Sequence, residues 1–452
     1  MRFETEAEAI TYIFRSMRKL RDQPRGYDED TRDVAPTRRL LMNQRLLDTT
    51  REYAVVTGSK GKGSTTAITA KILQHLGHRV GMISSPHLVS WRERIRVGGQ
   101  AIPEADLCRI LDGLADDIDA IENSLSSHQY FSPQGIFLAV ALKWFNELNV
   151  TAAVLEVGRG GRFDDIAVVP NKLSLFTPIM LEHREYLGPT LERIAWHKAG
   201  IIKPMSNVYS LPQQPAVLDV LRTEAEALGA EFNWIAPKDI GVYLGLSEDG
   251  IRIDMGRYGE VSLALRGHYQ VANATLAVIA AGNMHARLRG VSHGSAEYIA
   301  AVRAGLTSVK WPGRCQKLQD HPVVFVDGAI NRESASLLVE SLEGDLKSPV
   351  ISVVSVPADK DYEGVYEQVG RVSQSLILTE TERNRTLHWL PQAEAVEVAQ
   401  RHNQDVSYAR SLVEAVDLAK KRAGEQGTII IVGTQSIVAE ATGVWGQSCE
   451  VI

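Results

Sequence analysis

The stretch EYAVVTGSKGKGSTTAITAKILQHLG, residues 52–77, decides the fold class of this chain. Its first half is an apolar, β-branched run that ends at a glycine, and its second half has apolar residues at the i, i+3, i+4, i+7 spacing of a helix. A strand, a glycine loop and a helix in this order predict a phosphate-binding loop. Glycines allow backbone N–H groups to point inward, and the N-terminus of a helix attracts anions.

The residues of the loop have separate predicted roles. The predicted nucleotide-binding residues are Gly58, Gly61, Lys62, Gly63, Ser64 and Thr65. Lys62 can reach a phosphate as a point charge, and the hydroxyl of Ser64 or Thr65 can hold Mg²⁺. The alternative is a glycine-rich turn that binds nothing, which the lysine and the two hydroxyls argue against. The common loop reads GxxxxGK[ST], whereas here a glycine separates the lysine from the hydroxyls.

Short β-branched runs alternate with helical segments along the rest of the chain. The later predicted strands are HRVGMISS, AAVLEVG, KLSLFTPI, PVVFVDG, PVISVVSV, SLILTE and TIIIVG. The later predicted helices are SPQGIFLAVALKWFNEL, NATLAVIAAGNMHARL, SASLLVESLEG and SLVEAVDLAKKRAG. This alternation predicts an α/β fold with mostly parallel sheets whose faces are covered.

Turn-forming residues in VKWPGRC, residues 309–315, interrupt the alternation and divide the chain. We expect a large N-terminal α/β domain of the P-loop type over residues 1–306 and a smaller, Rossmann-like α/β domain over residues 307–452. Residues 4–20 are predicted to form an amphipathic helix. The polar, Arg- and Asp-rich stretch of residues 21–39 is predicted to be a loop.

The composition argues against several classes of function. The formal net charge is −6 and the isoelectric point about 6.1, without a long basic block, so neither nucleic acid nor a membrane is expected as a partner. Cys108, Cys315 and Cys449 lie far apart, which indicates neither a disulfide framework nor a zinc ribbon. No apolar run approaches the roughly 20 residues of a membrane span. We therefore expect a cytoplasmic protein.

Motifs spread over most of the chain from about residue 55 onward resemble one enzyme family. Besides the loop, they are SSPHLVSWRERIRVGGQAIPE (84–104), LEVGRGGRFD (155–164), YLGPTLERIAWHKAGIIKP (186–204), GHYQVANATLAV (267–278), WPGRCQ (311–316), FVDGAIN (325–331) and ADKDYEGV (358–365). Their order and spacing are similar to those of the Mur ligase superfamily, in particular the folylpolyglutamate synthases and dihydrofolate synthases. The family's loop usually reads GTNGKGS. The resemblance implies that the first domain is the central domain of a Mur ligase.

The activity that the resemblance implies is ATP-dependent ligation of an amino acid to a carboxylate. A substrate carboxylate would attack the γ-phosphate of ATP, and the amine of the amino acid would displace phosphate from the acyl phosphate. The implied substrates are a folate-like carboxylate and a glutamate-like amino acid, bound by a monomer or a homodimer. Phosphoryl transfer depends mostly on positioning and charge neutralisation, in keeping with the two Mg²⁺ sites that the resemblance implies.

The resemblance also implies roles for residues outside the loop. The implied metal ligands are Ser64, Ser85, Glu156 and His183. Lys62, His183 and Lys198 would carry the catalytic step, and Lys198 matches a lysine that is carbamylated in many family members. From the residues alone, Glu156 could instead face solvent at a strand end, His183 could be structural, and Lys198 could lie on a helix surface.

Three further residues match positions that contact the nucleotide in this family. They are Asn273, Arg314 and Asp327, which would contact adenine, phosphate and ribose from the hinge and the second domain. The resemblance therefore implies that ATP lies between the two domains and that their closure completes the site.

Four motifs depart from the family pattern. Residues 165–167 replace Ala-Thr-Asn, residues 182–184 replace Asp-His-Thr, residues 329–332 replace Ala-His-Asn-Pro, and residues 433–440 replace a segment like GSLYLVGE. The segment before the loop also matches poorly. Because the phosphate and metal residues occur together, an active ligase is favoured. The alternatives are a paralogue that acts on another acid and amine, and a non-catalytic relative that binds ATP.

Overall fold

The computed structural model of the protein describes residues 2–20, 26–290, 294–384 and 386–452 and contains three β-sheets. The largest has eight strands in the order β4-β3-β2-β5-β1-β6-β7-β8. These strands are β1 (Glu52–Thr57), β2 (Val80–Ile83), β3 (Ile95–Val97), β4 (Gln100–Ala101), β5 (Ala152–Glu156), β6 (Leu173–Phe176), β7 (Asn207–Ser210) and β8 (Glu231–Trp234). All neighbours from β2 to β8 run parallel, and β3 and β4 form an antiparallel edge. The prediction of a mostly parallel sheet is confirmed.

Helices cover both faces of this sheet. They are α1 (Glu6–Arg18), α2 (Asp28–Thr31), α3 (Ala35–Asn43), α4 (Lys62–His75), α5 (Glu104–Asp112), α6 (Ala115–Asn123), α7 (Pro133–Glu147), α8 (Arg184–Leu187), α9 (Leu191–Ala199), α10 (Pro215–Ala227), α11 (Gln270–Arg289) and α12 (Ala296–Ser308). Side chains alternate along β1, so Tyr53 and Val55 join one core while Ala54 and Val56 join the other. Among the described residues, every helix is too short or too polar to cross a lipid bilayer.

Strand β1 lies between β5 and β6, and its register positions the glycine loop. Val56 is opposite Glu156 on β5, and Thr57 is opposite Phe176 on β6. The carboxyl ends of these parallel strands therefore meet at one edge of the sheet, which is where α/β proteins bind ligands. The loop after β1 leaves this edge and leads directly into α4.

A small antiparallel sheet covers part of the second core. Its strands are β9 (Val242–Leu246), β10 (Ile251–Asp254) and β11 (Glu260–Leu263), in the order β11-β10-β9. Ile251, Ile253 and Leu263 pack into the core beside α11. The sequence did not predict this sheet, because its short strands are interrupted by glycines and charged residues that weaken any apolar pattern.

The third sheet has six strands in the order β12-β13-β17-β14-β15-β16. They are β12 (Gln316–Asp320), β13 (Val323–Asp327), β14 (Val350–Ser355), β15 (Ser375–Leu378), β16 (Val406–Tyr408) and β17 (Thr428–Gly433). Its helices are α13 (Arg332–Leu342), α14 (Tyr362–Gly370), α15 (Gln392–Gln400), α16 (Leu412–Ala423) and α17 (Gln435–Val444). Only the β12–β13 pair of this sheet is antiparallel. The predicted second α/β sheet is confirmed.

The interpretation of residues 21–39 as a loop is wrong in part. Residues 21–25 lie outside the described residues, but α2 and most of α3 fall within the stretch. Asp28 and Thr37 are buried there, because Asp28 pairs with Arg159 and Thr37 donates to Asp165. Polar residues can be buried in a folded segment when they pair with each other. The polar composition of this stretch therefore did not show that it forms helices.

Residues 449–452, here called the C-terminal strap, return from the third sheet to the edge of the first. The N–H of Ala101 donates to the carbonyl of Glu450 at 2.8 Å, and the N–H of Ile452 donates to the carbonyl of Gly99 at 3.1 Å. Ile452 is buried in the second core. The buried guanidinium of Arg96 donates to the Glu450 carbonyl at 2.7 Å. The strap thus ties the two large sheets together.

Candidate functional site

Two positions of the glycine loop require glycine. Gly58 (φ 144°) and Gly61 (φ 87°) have positive φ values that side chains disfavour. A Cβ atom at Gly58 would lie 1.9 Å from Oγ1 of Thr177, and one at Gly61 would lie 2.3 Å from Oδ1 of Asn273. The loop is therefore packed between the segment that follows β6 and the first turn of α11.

Helix α4 begins at Lys62, and no side chain of the described residues caps its first turn. The first N–H groups of a helix lack intrahelical partners and attract anions. Nζ of Lys62 donates to the carbonyl of Gly58 at 3.0 Å, so the lysine lies over the loop. Oγ of the buried Ser64 accepts from Nε2 of Gln270 at 3.3 Å. Oγ1 of Thr65 is buried and has no hydrogen-bond partner among the described residues.

Glu156 ends β5 and is only 3% exposed, so it does not face solvent. One of its oxygens accepts from the backbone N–H of Ser85 at 3.1 Å. Burial raises the pKa of Glu156 to about 7, although Lys62 and Arg314 oppose that rise. Ionising a buried carboxylate is costly unless a cation lies beside it. Glu156 and the hydroxyls of Ser64 and Ser85 are oxygen donors of the kind that Mg²⁺ prefers.

Lys198 on α9 is 1% exposed, so it is not a lysine on a helix surface. Its Nζ donates to the carbonyl of Gly58 at 2.8 Å and forms an ion pair with Glu182 at 3.4 Å. Burial, together with repulsion from Lys62, lowers the pKa of Lys198 to about 8. Burial alone would raise the pKa of Glu182, but Lys198 and Lys62 hold that pKa below its usual value. A buried lysine of this kind has a reactive neutral fraction near neutral pH.

The third sheet contributes residues on the opposite side of the loop. Asp327 ends β13, is buried, and accepts from the N–H of Cys315 at 2.8 Å. Burial raises the pKa of Asp327, although Arg314 opposes the rise. On α11, the buried Asn273 donates to Oε1 of Gln270 at 2.9 Å.

These elements enclose a cavity of about 500 Å³. The predicted residues that line it are Gly61, Lys62, Gly63, Ser64, Ser85, Glu156, Asn273, Arg314 and Asp327. They come from both large sheets and from the helices that follow them, so the structure brings the two parts of the chain to one site. The uncapped helix N-terminus, the cations and the buried carboxylate fit the phosphates of ATP and a Mg²⁺ ion.

Four predicted residues do not line the cavity. Gly58 and Lys198 lie behind the loop, where they contact each other, and Thr65 is buried within α4. His183 is exposed at the start of α8, with a left-handed backbone (φ 51°). Across the described residues, no three His, Cys, Asp or Glu side chains lie close enough together to hold a metal ion. A metal in the cavity would therefore need hydroxyls, phosphates or water as further ligands.

The sequence did not assign several residues that complete the cavity. Trp311 packs against the loop, because a Cβ atom at Gly63 would lie 2.7 Å from Cζ2 of its indole ring. Tyr269 and Arg96 also line the cavity. Trp311 and Tyr269 stand in motifs that resemble the family's, and their position in those motifs was the available signal.

The motifs that depart from the family pattern lie in different parts of the structure. At residue 165, the buried Asp165 accepts from Oγ1 of Thr37 at 2.5 Å and lies 3.4 Å from Arg32. The altered motif thus meets the N-terminal segment that also matches poorly. At residues 329–332, Asn331 caps α13, and Gln435 lines the cavity.

Two family models match the chain. The Mur ligase middle domain matches residues 56–281, and the Mur ligase glutamate ligase domain matches residues 313–435. A dihydrofolate synthase/folylpolyglutamate synthase of Bacillus subtilis (strain 168) is 32% identical over 329 residues, covering 71% of this chain and 74% of that protein. A protein of the same description from Mycobacterium tuberculosis is 30% identical over 387 residues, covering 80% and 77%.

Solved structures have the same fold. The Mycobacterium tuberculosis folylpolyglutamate synthase complexed with ADP and AMPPCP has a TM-score of 0.81 at 24% identity, covering 97% of this chain and 99% of that one. The apo form of the L. casei enzyme has a TM-score of 0.79 at 22% identity, covering 98% and 99%. At this sequence identity, the structural similarity shows that the chain has the same fold as these proteins.

Proposed function

Because this chain belongs to the Mur ligase family and is an ATP-dependent ligase related to the folylpolyglutamate synthases, we propose that it joins glutamate to a folate. The observation that carries the proposal is the cavity where the glycine loop, Glu156 and Arg314 converge. A carboxylate becomes reactive towards an amine once it is phosphorylated, and such phosphorylation needs positioned cations around the phosphates.

The residues that line the cavity would contact different parts of ATP. The N–H groups of the loop and the ammonium of Lys62 would hold the phosphates. Arg314 would contact phosphate from the third sheet, Asp327 the ribose and Asn273 the adenine. Burial of Asp327 and Asn273 supports these roles, since a buried polar side chain needs a partner.

Two Mg²⁺ sites are proposed at the same edge of the sheet. Ser64 and Glu156 would hold the first, and Ser85 with His183 would complete the second. Mg²⁺ would neutralise charge on the phosphates. The hydrogen bond from the backbone N–H of Ser85 to Glu156 supports placing the two sites next to each other. His183, which is exposed, would have to move inward when substrates bind.

We also propose that Lys198 is carbamylated. Support comes from its burial and from its pKa of about 8, since the neutral amine is the form that reacts with CO₂. The product is an anion that could hold the water ligands of Mg²⁺ behind the loop. A mass gain of one CO₂ on the intact protein in neutral, non-denaturing solution, absent from Lys198→Ala, would support this modification, and an unchanged mass under the same conditions would contradict it.

We further propose that the two domains divide between residues 306 and 307. We also propose that the protein is cytoplasmic and that it is a monomer or a homodimer. The separate sheets on either side support a division in this region, and α12 continues past the proposed boundary to Ser308. The location is supported by three buried free cysteines in the described residues, which is usual where thiols stay reduced. Sedimentation of the purified protein would decide the oligomeric state.

The experiment that tests the function measures ADP and phosphate release with Mg-ATP and glutamate, with and without tetrahydrofolate. We expect release that depends on the folate and a folate product heavier by one glutamate residue. Lys62→Ala should lower the rate by about a hundredfold or more, because it removes a cation from the phosphates. Lys421→Ala, at an exposed lysine on α16, should leave the rate unchanged. ATP binding without folate-dependent release would overturn the proposal.

A further inference from the structure

Lys60, two residues before the start of α4, lines the cavity with an exposed side chain. Among the described residues, its ammonium has neither a hydrogen-bond partner nor an ion pair. Two other cations of the cavity are anchored instead. Nζ of Lys62 donates to the carbonyl of Gly58 at 3.0 Å, and Nη1 of Arg314 donates to the carbonyl of Gly313 at 3.0 Å. Lys60 therefore differs from both in being free to move towards a ligand.

The backbone on either side of Lys60 is held in place. The N–H of Ser59 donates to the carbonyl of Pro178 at 2.7 Å, and Oγ of Ser59 accepts from the N–H of Met180 at 2.9 Å. Gly61 packs so closely against α11 that a Cβ atom would lie 2.3 Å from an amide oxygen. A fixed backbone with a flexible four-carbon side chain keeps the ammonium in the cavity but lets it follow a moving charge.

Charged groups from both sides of the cavity act on Lys60. Lys62 and Glu182 belong to the side of the first sheet, and Arg314 and Glu333 to the side of the third. The surrounding cavity walls lower the pKa of Lys60 and Glu182 opposes this, while repulsion from Arg314 and Lys62 lowers it further. Like charges so close together repel each other, and a multiply charged anion bound between them would remove that repulsion.

We propose that Lys60 binds the γ-phosphate of ATP and follows it during transfer, which makes Lys60 a further catalytic residue. The γ-phosphate carries more negative charge than either inner phosphate and is the group that moves, so a cation without a fixed partner suits it. An oxygen of the acceptor carboxylate bonds to the γ-phosphorus, while the bond from that phosphorus to the bridging oxygen breaks and its electron pair leaves with ADP. Lys60 stays protonated and neutralises charge on the transferred oxygens.

This inference rests on the proposed ligase function and adds a residue to it. Calorimetric titration of the full-length protein with Mg-AMPPCP and with Mg-ADP tests it, because ADP has no γ-phosphate. Lys60→Asn, which restores the family's usual residue, should bind AMPPCP about tenfold more weakly and ADP as tightly as wild type. Lys60→Arg should keep AMPPCP affinity within about threefold, because it keeps the charge. Lys421→Asn, at an exposed lysine on α16, is the control and should change neither affinity.

An unchanged affinity for ADP also shows that Lys60→Asn is folded. A solvated surface lysine predicts that neither affinity changes in this variant, and a general phosphate anchor predicts that both fall together. Either result would overturn the inference.

In the ligase assay, Lys60→Asn should lower kcat by about tenfold without raising the KM for the folate. An unchanged kcat at saturating ATP would overturn the catalytic role. A selective loss of AMPPCP affinity beside a wild type that is silent in the folate assay would support the role of Lys60 and reject the folate. Folate-dependent release by wild type, with unchanged AMPPCP affinity in Lys60→Asn, would reject the role of Lys60 alone.

Discussion

At the scale of single residues, Glu156 links stability to pH. Its pKa is about 7 in the fold against an ordinary 4.5, so the folded state binds the proton more tightly than the unfolded state. The stability from the protonated form is complete below pH 4.5 and is lost as the pH rises to 7. Without metal, Glu156→Gln should therefore be more stable than wild type at pH 8 by about 3 kcal/mol.

Urea unfolding in a chelator at pH 4.5 and pH 8 measures this difference, which should nearly vanish at the lower pH. Glu343→Gln, at an exposed carboxylate, is the matched control and should change little at either pH. A Glu156→Gln effect of equal size at both pH values would contradict the argument. The same variant should lose ligase activity, since Mg²⁺ would lose its buried carboxylate.

The residue types in each motif predicted which side chains would lie in the candidate site. They did not predict the burial or the hydrogen-bond partners of each side chain. The sequence placed Glu156 at the end of an apolar strand, where a carboxylate has to find a partner. It could not show that Lys198 is buried against Gly58, because a lysine on an amphipathic helix has the same pattern whether its face is covered or open. The pairing of Arg159 with Asp28 joins distant segments and left no local signal.

At the scale of elements, the start of α4 depends on a close approach that one methyl group would disturb. A Cβ atom at Gly63 would lie 2.7 Å from the ring of Trp311. Gly63→Ala should therefore shift the indole and weaken ATP binding about tenfold, as a displaced loop N–H loses its phosphate contact. Gly443→Ala on α17 is the matched control, because a Cβ atom added there would have no atom of another described residue within 4 Å outside its own turn of helix. It should keep ATP affinity and be slightly more stable.

Titration with ATP would measure both affinities, and equal affinity in Gly63→Ala and wild type would show that the contact has no role. The long elements around this loop were predictable, since β1 is a continuous apolar run that ends at a glycine and α4 has apolar residues at helical spacing. The three-stranded sheet and α2 were not, because their short segments are set by tertiary contacts rather than by their own patterns.

At the scale of the whole molecule, the C-terminal strap makes the two large sheets depend on each other. Deleting residues 449–452 removes the carbonyls that hold the buried Arg96, a residue that lines the cavity. We expect the deletion to weaken ATP binding and to split calorimetric unfolding into two transitions. Glu450→Gln is the control, because it keeps those carbonyls and alters only the partly exposed pair with Arg92. One unchanged transition in the deleted protein would contradict this coupling.

The contact between Trp311 and Gly63 has an optical consequence. Indole emission changes with the polarity of its surroundings, and this ring lies against the loop where the phosphates of ATP are proposed to bind. The protein therefore contains its own fluorescent reporter of the filled site, one of seven tryptophans in the chain. A difference between the spectra of wild type and Trp311→Phe isolates that signal, so occupancy can be followed in real time without a label.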